Sequence, residues 1–174
     1  MKDYLKGKTV YLCGAMAALQ DSGVQWRDWI TQRLKTEFSM IVLDPTGKST
    51  DGISEIGDDK EKFRDLCKRE AWGELKDTFY DVVRWDLRAV DKADVIIVNY
   101  DTLVPTVGTW HEIEVANFER KPILMKYDTS QLDTFNPWVT VHMKPEHLFS
   151  DWEILFNHLR DVNNGKFNRR RWTL

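Results

Sequence analysis

Val95-Ile96-Ile97-Val98 is the strongest strand signal in the chain. Four consecutive β-branched apolar residues suit a strand covered on both faces, and such strands lie inside parallel sheets. Upstream, Thr9-Val10-Tyr11-Leu12-Cys13-Gly14 has the same character and ends in glycine. Met40-Ile41-Val42-Leu43 is a third run, stopped by Asp44-Pro45 because proline cannot continue a central ladder. Pro122-Ile123-Leu124-Met125 is a fourth, and Trp138 to His142 reads as a short last strand. Between these runs the period changes to that of a helix. Asp21 to Leu34 carries Trp26, Trp29, Ile30, Arg33 and Leu34 at helical spacing, with Asp21 or Ser22 able to cap. Further helices are expected over Lys60–Glu70, about Thr78–Lys92, about Thr109–Arg120 and about Asp151–Leu159. The long stretch Thr46–Asp59, rich in Gly, Ser, Thr and Asp, reads as a loop of the kind that serves as a lid or binding segment.

Strands alternating with helices predict an α/β fold: a single-domain open, mostly parallel sheet, flavodoxin- or Rossmann-like, with helices on both faces. No repeat, low-complexity segment or linker divides residues 1–174, so one domain is expected. The composition agrees with a packed core, being 42% hydrophobic and 30% charged over 174 residues. The net charge of −3 argues against a protein that coats nucleic acid, which needs a clear positive excess. The basic run Arg169-Arg170-Arg171 is too short to reverse that. No apolar run approaches the roughly 20 residues of a membrane span. Cys13 and Cys67 lie far apart with no ligand spacing, and the N-terminus leads into a strand rather than a secretory segment. A reduced, cytoplasmic protein is the expectation.

In open α/β sheets ligands bind beyond the carboxyl ends of the strands. Those ends carry Gly14, Asp44, the stretch Asn99–Gly108 and the residues after Tyr127. No G-x-G-x-x-G fingerprint follows the first strand, and Gly47-Lys48-Ser49 lacks the earlier glycine of a phosphate loop. Val107-Gly108-Thr109-Trp110-His111-Glu112 opens a helix, where free N–H groups and the threonine hydroxyl offer donors. Glu112 stands about one turn in. Thr109 and Glu112 also fit a capping box, with the glutamate reaching back to its own helix start. Asp86, within Arg84-Trp85-Asp86-Leu87, is a second carboxylate, readable either as a solvated helix face or as a partner in one pocket. Two carboxylates in one pocket can divide the roles of nucleophile and proton carrier. The four histidines have no metal spacing, and no nucleophile elbow is present. Trp85 and Trp110 stand near these positions as candidate walls for a flat ligand.

The ordered set resembles the nucleoside 2-deoxyribosyltransferase family and its nucleotide N-glycosidase relatives. The resemblance rests on Val10-Tyr11-Leu12-Cys13-Gly14, Asp86 ahead of Lys92-Ala93-Asp94, Val107-Gly108-Thr109-Trp110-His111-Glu112-Ile113 with Ala116, Lys121-Pro122-Ile123 and Asn136-Pro137, and covers Thr9 to about Trp138. It implies that Glu112 is the nucleophile toward the anomeric carbon, that Asp86 contacts the base and assists its protonation, and that Tyr11 positions Glu112. It implies that Gly14, Gly108 and Thr109 shape the sugar site, that Asp44 contacts the base, and that Asn136 reaches the sugar's 5′ end across a subunit interface in a homodimer or higher homo-oligomer. The partners so implied are a nucleoside or nucleotide and a free nucleobase, with no cofactor, metal, nucleic acid or membrane.

The resemblance implies deoxyribosyl transfer between bases through a glycosyl-Glu112 intermediate. Thr106 is a departure. Transferases of the family place an aspartate there to hold the 5′-hydroxyl, whereas a hydroxyl side chain can donate to a phosphate. Thr106 therefore raises an alternative, hydrolysis of a nucleoside 5′-monophosphate to free base and sugar phosphate. A second alternative is a catalytically idle nucleotide-binding protein.

Overall fold

The computed structural model describes residues 2–16, 19, 21–47, 58–104 and 106–166, with backbone alone for 58–60. Most of the loop expected over Thr46–Asp59, Pro105 and the tail Arg169–Arg171 lie outside the described residues.

Among the described residues five strands form one parallel sheet: β1 (Thr9–Gly14), β2 (Ile41–Leu43), β3 (Val95–Tyr100), β4 (Ile123–Tyr127) and β5 (Leu148–Phe149), in the order β2-β1-β3-β4-β5. The order reverses at β1, with β2 on one side and β3 on the other. That switch point is where an open α/β sheet leaves a crevice beyond its strand ends. The register sets Cys13 beside Val98 and Gly14 beside Asn99.

The two faces follow from the period of two along each strand. Val10 and Leu12 of β1, Val95 and Ile97 of β3 and Leu124 of β4 pack against α1 (Val24–Phe38) and α6 (Trp152–Asn163). The alternate residues Tyr11, Cys13, Ile96, Val98 and Met125 pack against α3 (Trp72–Lys92), α4 (Val107–Phe118) and the short α5 (Val139–His142). The result is a three-layer α/β sandwich, as the alternation of strands and helices predicts. A helix α2 (Asp58–Lys68) precedes α3. Each fully buried Leu or Ile on these faces contributes roughly 1.5–3 kcal/mol, so truncating Leu12 to alanine costs about 2–5 kcal/mol.

One expected element is corrected. Residues 138–142 form no strand; Val139–His142 is a helical turn, and the sheet's last strand is the two-residue β5. The alternation of Val139 with Val141 imitates a strand. In the folded chain Val139 is buried against the helix layer and Val141 is exposed, which one helical turn accomplishes equally well.

Two glycines are required by close approach. A Cβ on Gly14 would stand 3.0 Å from the Asn99 carbonyl oxygen and 3.1 Å from the Trp26 ring. A Cβ on Gly23, at φ +70°, would stand 2.4 Å from the Arg27 guanidinium. Both flank the segment that leaves β1 at the switch point.

Candidate active site

Beyond the carboxyl ends of β1 and β3 lies a cavity of about 430 Å³, a size that accommodates a small organic ligand. Its polar side carries Tyr11, Asp86, Thr106, Thr109, His111 and Glu112. Phe79, Val83 and Leu87 of α3, with Val104, supply apolar wall.

Glu112 enters through the buried stripe of α4, where Thr109, Glu112, Ile113 and Ala116 recur at helical spacing. The helix begins at Val107, with Thr106 as its N-cap and no side-chain cap bond. Thr109 is therefore inside the helix, and Glu112 faces the sheet instead of closing a capping box. There its carboxylate meets two donors from one strand. The Tyr11 hydroxyl donates to Oε1 at 2.8 Å, and the Cys13 thiol donates to Oε2 at 2.8 Å. Tyr11 and Cys13 are two residues apart, so both point to the same face of β1. Both are wholly buried.

Electrostatics set this carboxylate apart. Burial pushes Glu112 from the usual carboxylate range up to about 7, and repulsion from Asp86 adds to the rise. The bonds from Cys13 and Tyr11 and the charge of Arg27 oppose it. The Tyr11 hydroxyl and the Cys13 thiol are both held well above their ordinary values, first by burial and then by Glu112. Both groups thus keep their protons and act as donors. A buried carboxyl whose ionisation a second carboxylate makes costlier is a candidate functional group.

Arg27 is the hidden support. It lies in the buried stripe Arg27, Ile30, Leu34 and Phe38 of α1. Its guanidinium donates to the carbonyls of Gly14 at 2.8 Å and Gly23 at 3.0 Å, and more distantly to those of Leu12 and Ala15. It also stacks on Trp26, 4.5 Å from the ring centre. Burial pulls its proton affinity down, and Asp44 is the chief opposing charge. The backbone that turns out of β1 is therefore fastened from beneath the cavity.

The residues expected at the site divide. Tyr11, Gly14, Asp86, Thr106, Gly108, Thr109 and Glu112 all line the cavity. Asp44 does not; its carboxylate lies 3.8 Å from Arg27 and accepts from the backbone and hydroxyl of Thr46. It braces the strand end, while Pro45 beside it reaches the cavity. Asn136 also lies away from the cavity, exposed, with its side chain accepting from the Trp138 backbone at 3.0 Å. Trp85 and Trp110 pack against the helix-layer core instead of lining the cavity, Trp110 edge-on to Tyr100. Cys13, Arg27 and Phe79 are among the contributors that escaped the sequence reading. Cys13 was visible through its alternation with Tyr11. Arg27 was visible as a charge at core spacing, three residues before Ile30. Phe79 was visible four residues before Val83 and eight before Leu87.

Among the described residues no group of three or more His, Cys, Asp or Glu side chains is placed to hold a metal ion. No described helix is long and apolar enough to cross a membrane.

No protein-family model matches the chain, and no curated protein does. The fold is shared with solved structures. A 2-deoxyribosyltransferase from the psychrotolerant bacterium Bacillus psychrosaccharolyticus superposes with a TM-score of 0.51 at 15% identity, over 86% of this chain and 90% of that one. A conserved protein from Enterococcus faecalis superposes at 0.55 and 12% identity, over 92% and 99%. A CMP N-glycosidase from Clostridium botulinum aligns at 0.46 and 14% identity, over 88% and 99%. At these identities the likeness is one of fold.

Proposed function

We propose that the chain, acting as one domain over residues 1–174, is an enzyme that cleaves the N-glycosidic bond of 2′-deoxynucleosides and transfers the deoxyribosyl group to another base. The observation that carries this reading is the Glu112 carboxylate. It is buried, lines a ligand-sized cavity, receives one donor on each oxygen and shares the cavity with a second carboxylate, Asp86. The 2-deoxyribosyltransferase of the same fold gives the reading a precedent.

In this mechanism a carboxylate oxygen of Glu112 bonds to C1′ as the bond from C1′ to the base nitrogen breaks. The two carboxyl groups share one proton, held on Asp86 while Glu112 is ionised. The electron pair leaves with the base, and Asp86 delivers that proton to it. The transition state carries positive charge on the sugar, which an adjacent carboxylate stabilises strongly in a dry site. That charge also favours the ionised form of Glu112, offsetting the burial that holds its pKa near neutrality. A second base then attacks C1′, yields its proton to Asp86 and frees Glu112. Phe79, Val83 and Leu87 exclude water and present apolar surface to a planar base. Gly108 leaves open space, since a Cβ there would meet nothing within 4 Å. We also propose that the protein is a homodimer or higher homo-oligomer in which Asn136, exposed and remote from its own cavity, serves a neighbouring copy.

Thr106 favours a second reading, hydrolysis of a nucleoside 5′-monophosphate. It caps α4 at the cavity, and the first turn of that helix carries no acid. A hydroxyl beside free helix N–H groups receives an anion well.

Mass spectrometry after brief exposure to deoxynucleosides and deoxynucleoside monophosphates tests the scheme. A sugar adduct on the peptide holding Glu112 is expected. Exchange only on addition of a second base indicates transfer, and free sugar or sugar phosphate without it indicates hydrolysis. Binding with neither adduct nor turnover would identify an idle nucleotide-binding protein instead.

A further inference from the structure

We propose that Cys13 is a positioning residue for Glu112, a thiol donor that holds the charged carboxylate and moves its hydrogen bond to the Thr109 carbonyl when that charge is lost. Its catalytic consequence rests on the reading of Glu112 as nucleophile; the bond itself does not.

Three observations support it. The Cys13 sulfur has two acceptors in reach, Glu112 Oε2 at 2.8 Å and the Thr109 carbonyl oxygen at 3.8 Å. Both belong to one turn of α4, so the proton can change acceptor by rotation of the thiol alone. Tyr11 differs, since its hydroxyl bonds Glu112 Oε1. Finally, Cys13 does not line the cavity, so a ligand can reach Glu112 without displacing the thiol.

A buried cysteine ordinarily serves as a small apolar filler. What separates this one is the nearer acceptor, a carboxylate. A donor to an ionised group is worth more than one to a neutral group, so the bond to Oε2 should dominate while Glu112 is charged. When Glu112 becomes neutral, by protonation or by bonding to a sugar carbon, the backbone carbonyl competes. The other groups bearing on Glu112 are Tyr11 on β1, Asp86 on α3 and Arg27 on α1, while His111 of α4 lines the same cavity. None occupies the position of the thiol. Burial keeps the thiol protonated, as a donor must be.

The test uses the intact protein without any substrate. Exposed Cys67 provides an internal reference thiol. In the infrared spectrum the Cys13 S–H stretch should lie below that of Cys67 at pH 8, where Glu112 is mostly ionised. It should rise in frequency in Glu112→Gln or as the pH falls through Glu112's titration near 7. Carbon NMR of protein labelled at glutamate carboxyls should place the Glu112 midpoint higher in Cys13→Ala and close to wild type in Cys13→Ser, whose hydroxyl still donates. With an active substrate, kcat/KM in Cys13→Ala should fall about tenfold, the low end for a bond to a charged group, with its acid limb displaced upward and Cys13→Ser largely restored. A Cys13 stretch indifferent to the state of Glu112, or an unmoved Glu112 midpoint in folded Cys13→Ala, overturns the inference. Both spectral shifts without any sugar adduct would leave it standing and refute the glycosidic reading instead.

Discussion

Tyr11 and Glu112 stand 101 positions apart in the chain and are joined by a hydrogen bond of 2.8 Å. An inner strand of the sheet, β1, thereby fixes the aim of a side chain on a helix. Removing the hydroxyl in Tyr11→Phe deprives the ionised carboxylate of one donor, so the Glu112 pKa should rise further above 7. The acid limb of kcat/KM should move to higher pH, and the plateau should fall about 10–100-fold, the range for hydrogen bonds to charged groups. An unchanged acid limb would mean that Tyr11 serves packing alone.

Asp86→Asn should move the same limb the other way. The amide removes the negative neighbour that helps lift Glu112, so the nucleophile ionises at lower pH. The rate itself should drop about 10²–10⁴-fold, as expected when a general acid is lost. Substrates whose bases leave without protonation should recover much of that loss. Equal losses across a series of leaving groups would remove Asp86 from the proton-transfer role.

The same physics gives a stability prediction independent of activity. Glu112 titrates near 4.5 when unfolded and at about 7 when folded. A raised carboxyl pKa means the folded state binds the proton more tightly. Its stabilising contribution is full below pH 4.5 and is lost as pH rises through 7. Glu112→Gln removes that dependence, so the variant should gain up to about 3 kcal/mol over the wild type at pH 8 relative to the difference at pH 4. Urea unfolding at the two pH values measures it. A gain that does not grow with pH would show that the carboxyl is not held neutral by burial.

The sheet's inner strands β1 and β3 were legible because Val95–Val98 is an unbroken β-branched run and Thr9–Gly14 a short apolar run ending in glycine, and such runs buried on both faces have few other homes. Glu112 was legible as a carboxylate at a helix start beyond a strand end, and Asp86 as a carboxylate on the helix that leads into β3, tied to the site by the family resemblance. The ambiguity between cap and nucleophile was not resolvable from spacing. It turned on whether α4 begins at Thr109 or two residues earlier, a boundary that local pattern leaves open. Arg27 was missed because a buried arginine contradicts the usual polarity of a core stripe. Its place is explained by four carbonyls and one aromatic face that no local pattern reveals. Asp44 was drawn to the site by its position after β2, yet its partners Arg27 and Thr46 turn it into a brace.

Arg27 should accordingly be a stability residue before it is a catalytic one. Arg27→Met preserves the stem but leaves the Gly14 and Gly23 carbonyls and Asp44 without their cation. The cost should be roughly 3–5 kcal/mol, the range for uncovering buried charged and polar partners. The urea midpoint should fall with little change in slope. A loss below 1 kcal/mol would mean that water or neighbouring groups satisfy those carbonyls equally well.

Thr106 allows the choice of substrate to be tested with two readouts of opposite sign. It caps α4 without a side-chain bond to the helix, and it lines the cavity. An aspartate is among the best N-caps and places negative charge at the positive end of the helix. Thr106→Asp should therefore stabilise the protein by about 0.5–1 kcal/mol. The same charge would confront any 5′-phosphate bound at that helix start. Turnover of a deoxynucleoside 5′-monophosphate should then fall by one to two orders of magnitude, about 1.4 kcal/mol per tenfold, whereas the unphosphorylated nucleoside should hold or improve. High salt should narrow the gap, because it screens repulsion in an open cavity. A more stable variant with undiminished monophosphate turnover would place the 5′ group elsewhere and withdraw the support that Thr106 lends to the nucleotide reading.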